Sequence, residues 1–148
     1  MTFRDPLPKE FAEICSDIVT AVREVRKELG AGLVERVYRA ALRAELRSMG
    51  RRVASEVPVT AEYKGLDLGE VFMIDELIDG KVVVECKALI ELPPIAYAQT
   101  LTYLRLSKHP VAMLVNFNAL PLGSGIHRFL NGPVAEPAEA PNAGEPAS

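Results

Sequence analysis

The fold that the sequence predicts is an α/β or α+β domain, a small mixed β-sheet flanked by helices. Three observations predict it. Two amphipathic helical patterns occupy residues 8–49, β-branched runs with period-2 alternation follow, and a proline-opened helix separates the last hairpin from a final apolar run. The expected order is α-α-β-β-β-α-β.

From Pro8 to Leu29, apolar residues fall at Phe11, Ile14, Cys15, Ile18, Ala21, Val22, Val25 and Leu29. That spacing is one face of a helix, and Gly30 is a natural stop. A second helical pattern runs from about Leu33 to Met49 and ends at Gly50. Residues 53–63 are β-branched and contain Pro58, which suits an edge strand. The stretch KGLDLGE is a turn-rich link, after which residues 71–78 and 81–86 form two strands around Asp79-Gly80. Pro93-Pro94 opens a helix reaching about Ser107, because proline suits a first helical turn. His109-Pro110 breaks it, VAMLVNF is a buried strand, and GIHRFLN is a short element of open type.

At 148 residues the chain is long enough for one domain with a real core. Its boundaries are set at 1–132, with a Pro/Ala/Glu tail over 133–148 that has little to bury and is expected to be disordered. The net charge of −3 comes from that tail. Without its three glutamates the 20 acidic groups fall to 17, matching 17 basic ones, so the body is neutral. No apolar run reaches the roughly 18 residues of a membrane span, and MTFRDPLPKE is not a signal peptide. Cys15 and Cys86 form no CxxC, and His109 and His127 lack ligand spacing. A disulfide framework and a zinc site are therefore disfavoured, the two thiols are core residues, and a reducing cytoplasm is the expected compartment.

The stretch FMIDELIDGKVVVECKAL carries the chemistry. Along KVVVECK, alternate residues point to opposite faces, so Val83, Glu85 and Lys87 share one and Val82, Val84 and Cys86 the other. Asp75 joins Glu85 and Lys87 only if the hairpin connection has odd length. A three-residue loop Ile78-Asp79-Gly80, with Gly80 left-handed after a type I turn, meets that demand; a two-residue loop does not. Two neighbouring carboxylates suit Mg²⁺, a hard cation that takes oxygen ligands. Such an ion polarises a phosphate oxygen and acidifies a water, and Lys87 then orients or stabilises the nucleophile. The alternative is a solvated Glu–Lys pair with an acid across the turn.

GLVERVY at residues 32–38 has the form G-x-x-E-x-x-Y. Together with FMID, VVVECKA, AQTLTYL and LVNFN, in that order, it resembles the GxxExxY family of small bacterial proteins, assigned to the PD-(D/E)xK nuclease-like superfamily. The resemblance spans roughly Ile14 to Asn131 and implies a restriction-endonuclease-like core. It implies that Asp75 and Glu85 hold Mg²⁺ (or Mn²⁺), that Lys87 serves the nucleophile, and that Glu35 supports the site from the second helix, beside which Gly32 lets the chain pass and Tyr38 packs. Glu35 pairing with Arg39 at i+4 is the other reading of that acid. Gln99 and Tyr103 reproduce a Q-x-x-x-Y motif of the superfamily's exonuclease branch and share a helix face, where they meet substrate or simply half-bury a tyrosine. The chain departs from the family pattern at Met73 (commonly basic), Glu76 (commonly apolar) and Ala96 (commonly His).

Arg36, Arg39, Arg43 and Arg47 recur at intervals of three and four, Arg51 and Arg52 extend the row, and Glu45 alone opposes them. This stripe is either a solvated helix face or a track for a phosphate backbone, with Arg39, Arg43 and Arg47 as the substrate contacts. The expected function is a metal-dependent nuclease hydrolysing phosphodiester bonds of nucleic acid, DNA first. Its rivals are a nucleic-acid-binding module and a protein-interaction module that keep the fold without catalysis.

Overall fold

The computed structural model describes residues 7–132, so the expectation of a disordered tail lies outside the described residues. Helix α1 (Lys9–Leu29) buries Phe11, Ile14, Cys15, Ile18, Ala21, Val22 and Val25 along one side, the stripe its periodicity announces. Helix α2 (Glu35–Ser48) buries Tyr38, Leu42 and Leu46. Each large apolar side chain buried this way contributes roughly 1.5–3 kcal/mol. Both helices cover one face of a five-stranded sheet, and α3 (Pro94–Ser107) covers the other.

The strands are β1 (Val53–Tyr63), β2 (Leu66–Ile78), β3 (Val82–Lys87), β4 (Val111–Asn116) and β5 (Ile126–Leu130), hydrogen-bonded in that order. Neighbours are antiparallel except β3 and β4, which run parallel and are joined across the sheet by α3. The expected mixed sheet flanked by helices is thus present, with Pro58 on the edge strand. Every residue of β4 is buried, its apolar run from Val111 to Val115 as that pattern requires and Asn116 with it. The closing GIHRFLN segment becomes the tail of a short 3₁₀ turn (Leu122–Gly125) and the edge strand β5. Among the described residues no helix is long and apolar enough to cross a membrane.

Two expectations need correction. KGLDLGE is not a link: only Lys64 and Gly65 turn, both with positive φ, and the rest belongs to β2. A Lys-Gly pair supplies the two left-handed positions of a tight hairpin, so the strands continue to the turn. The second hairpin closes one residue later than expected. Ile78 pairs with Val82, leaving Asp79-Gly80-Lys81 as the loop, and the Lys81 amide donates to the Ile78 carbonyl at 2.9 Å. Asp79 and Gly80 both take positive φ, the signature of a primed turn. Asp79 tolerates this because its carboxylate is held by the Arg51 guanidinium at 2.9 Å and the Arg52 amide at 2.8 Å. The loop still has odd length.

Candidate active site

The β2–β3 register decides where the acids go. Ile78, Leu77 and Glu76 face Val82, Val83 and Val84, so one step further Asp75 comes opposite Glu85. There the ladder ends and side chains take over its hydrogen bonds. The Cys86 amide donates to Asp75 Oδ2 at 2.9 Å, and the Asp75 amide lies 3.4 Å from Glu85 Oε1. Val84 and Cys86 are buried on the opposite face against α1 and α2. The alternation of β2 slips between Ile74 and Leu77, which both pack on the α3 side, next to Glu56 with φ 53° on β1.

Glu85 is only 5% exposed. Burial first, then the charge of Asp75, push its carboxyl up from 4.5 to about 8. The folded chain therefore holds a proton there that the unfolded chain releases. Stability is expected to fall as pH rises from about 4.5 to 8, and Glu85→Gln should flatten that loss. Melting curves of both proteins at pH 5 and 8 check this; parallel pH dependence would refute it.

Glu35 opens α2, where a carboxylate suits the positive end of the helix. It is half-buried, and burial followed by the Asp75 charge raises its pKa, while Lys87 and Arg39 oppose the rise. It stands within the electrostatic reach of both groups. The G-x-x-E-x-x-Y spacing explains how it is held. Gly32 takes φ 102°, a conformation costly for other residues, and its amide donates to Asn118 Oδ1 at 2.7 Å. The Tyr38 hydroxyl donates to the Gly30 carbonyl at 2.6 Å and accepts from the Leu33 amide at 3.1 Å. Its ring stacks on Phe117 at 4.8 Å.

Lys87 ends β3, half-buried, with no ion pair among the described residues. Its backbone is fixed by pairing with Asn116 and by the Phe117 amide, which donates to its carbonyl at 2.9 Å. Tyr103 stacks on Phe72 with ring centroids 3.9 Å apart. Burial, then Glu85 and Asp75, raise its pKa, which places the phenol in the field of the acids. Gln99 is half-buried one turn earlier on α3.

Two members of the arginine stripe turn onto the sheet instead of outward. Arg43 Nη1 lies 2.9 Å from Glu76 Oε1, and Arg39 Nε lies 3.6 Å from the same oxygen. Arg39 also gives Nη2 to the Asp75 carbonyl at 3.3 Å. Glu76 is fully buried, so a charged carboxylate there needs such partners. Arg47 remains exposed and donates to the Val53 carbonyl at 3.0 Å; Arg51 joins Asp17 and Asp79. Arg39 and Arg43 of the expected phosphate track thus tie α2 to the sheet, while Arg36, Arg47 and Arg52 remain exposed.

Sequence reasoning assigned no role to Glu76, Asn116 or Asn118. A polar residue inside the apolar run of β4 was the available signal for Asn116. That side chain is buried, accepts from the Leu89 amide and donates to the Leu89 carbonyl, both at 2.9 Å, and so clamps the loop that follows Lys87. A cavity of about 370 Å³, lined by Ala31, Gly32, Ala88, Ile90, Asn118 and Leu120, opens between that loop and the one that leads to Glu35.

The site is thus an aspartate opposite a Glu-x-Lys strand end, with a helical glutamate close by. A family model described as the PD-(D/E)XK nuclease superfamily matches residues 12–129. The chain belongs to that superfamily. No curated protein and no solved structure matches it. In this PD-(D/E)XK domain Asp75 on β2 stands opposite Glu85 on the adjacent β3, which ends at Lys87. The carboxyl ends of the parallel β3 and β4, where open α/β sheets receive ligands, form the floor beneath them. Among the described residues no three acidic, His or Cys groups converge as a ready-made metal seat.

Proposed function

We propose that this PD-(D/E)XK domain is a divalent-metal-dependent nuclease that hydrolyses phosphodiester bonds, with DNA as first substrate and Mg²⁺ or Mn²⁺ as cofactor. The observation that carries the reading is the approach of Asp75 to Glu85 beside an ammonium that forms no ion pair among the described residues. The donor set fits the ion. Carboxylate oxygens are the ligands a hard cation takes, and an ion that keeps several waters needs only one or two of them. Asp75 and Glu85 would hold it, the protein's other contribution being the proton that Glu85 gives up on binding. When bound, the ion supplies polarisation of a phosphate oxygen and a more acidic water. Lys87 orients the attacking oxygen and offsets charge that develops on the phosphate. Glu35 accepts a hydrogen bond from water at the rim, and the Tyr103 hydroxyl donates to a non-bridging oxygen, with Gln99 beside it.

The test is a nuclease assay on single- and double-stranded DNA and RNA with Mg²⁺, Mn²⁺ or EDTA, alongside Asp75→Asn. Cleavage that needs metal and drops by at least about 10²-fold in Asp75→Asn is expected. Binding without metal-dependent cleavage would replace this reading with a non-catalytic nucleic-acid module. No binding at all would point to a protein-interaction domain.

A further inference from the structure

Asp75 and Glu76 are consecutive acids, and the slip in β2 brings both within reach of one guanidinium. Arg39 Nη1 lies 3.9 Å from Asp75 Oδ1, and Arg39 Nε lies 3.6 Å from Glu76 Oε1. Neither distance is a hydrogen bond, and a fully formed arginine–carboxylate pair closes to about 2.7–2.9 Å. Arg39 Nε is a buried side-chain nitrogen with no hydrogen-bond partner. Such a donor is costly. The guanidinium is held short of Asp75 Oδ1 by its Nη2 hydrogen bond to the Asp75 carbonyl at 3.3 Å and, on its other side, by the attraction of the Glu76 carboxylate. Glu76 cannot leave its place, because Ser55 donates to its Oε2 and Arg43 holds its Oε1 at 2.9 Å.

The consequence falls on Asp75. Its Oδ2 is taken by the Cys86 amide at 2.9 Å, which leaves Oδ1 as the oxygen to offer a ligand, and Arg39 is the cation nearest to claiming it. We infer that Glu76 is a positioning residue: its buried carboxylate restrains Arg39 and so keeps Asp75 Oδ1 open to a divalent cation. This rests on the metal-dependent reading of the site.

The experiment is Mn²⁺ titration by calorimetry on the full chain, with circular dichroism to verify folding. Glu76→Leu removes the restraint, and Glu76→Gln removes its charge at nearly constant shape. Both are expected to weaken Mn²⁺ binding by about 10-fold or more, the usual cost of losing an outer partner of a metal ligand. Adding Arg39→Leu to Glu76→Leu should restore affinity, because the competitor is gone. Adding Arg43→Leu should not, although it removes the same charge. Equal rescue by both would show a general field effect and overturn the inference, as would unchanged affinity in Glu76→Gln. If the wild-type protein binds no Mn²⁺ that Asp75→Asn abolishes, the metal-dependent reading itself falls and this inference with it.

Discussion

Replacing Lys87 with alanine is expected to lower cleavage by about 10²–10³-fold while Mn²⁺ affinity stays within a few-fold of wild type. The loss comes from chemistry alone. An ammonium at the strand end, half-buried and favouring the charged forms of Glu35 and Glu85, would contribute mainly where charge develops on the transferring phosphate and would not itself be a ligand to a cation. Because Lys87 forms no ion pair among the described residues, its removal should change stability by no more than about 0.5 kcal/mol. Lys87→Arg retains the charge but presents a planar fork in place of a compact ammonium, so partial activity is expected. Rates under single-turnover conditions, with Mn²⁺ affinity measured beside them, separate the outcomes. An alanine variant that cleaves at the wild-type rate removes Lys87 from the mechanism; one that loses Mn²⁺ reassigns it to the metal seat.

The elements were legible where one period dominated. The inward residues of α1 from Phe11 to Val25 and the apolar run of β4 each leave one way to bury their surface and appear as read, while Leu29, read on the same face of α1, is exposed. The meeting of Asp75 and Glu85 was legible as a parity condition, since any odd loop satisfies it, even though the turn slides by one residue to Asp79-Gly80-Lys81. What period-2 reasoning missed is where the alternation itself fails. The slip between Ile74 and Leu77 depends on a left-handed Glu56 across the ladder, which no local pattern announces. For the same reason the arginine stripe was open to two readings. Helical spacing places Arg39 and Arg43 on one side of α2, but only the fold puts a buried Glu76 beneath them. Long hairpin strands past Leu66 were hidden by glycines that, in the structure, mark the Lys64-Gly65 turn and a left-handed Gly69 inside β2.

Truncating Tyr38 is expected to have the largest effect on stability. Tyr38→Ala removes a fully buried ring stacked 4.8 Å from Phe117 and should cost about 3–5 kcal/mol, a large share of a domain's typical 5–15. Tyr38→Phe is the more informative change. It keeps the stack and deletes the hydroxyl, which leaves the Gly30 carbonyl without its donor and the Leu33 amide without its acceptor. With two part-buried groups left unmatched, the expected cost is about 1–3 kcal/mol, a fall of several °C in Tm. Those two groups bracket the turn that launches α2, and Gly32 in its middle donates to Asn118. Glu35 is the first residue of the helix that this turn launches. Loosening it should therefore cost activity as well, even at temperatures where the Phe variant is fully folded, and a Glu35→Gln background should show little additional loss. Denaturant melts with single-turnover rates on the single and double variants check both halves. A Tyr38→Phe protein that melts with the wild type would mean the hydroxyl anchors nothing, and the G-x-x-E-x-x-Y spacing would then owe its tyrosine to ring packing alone.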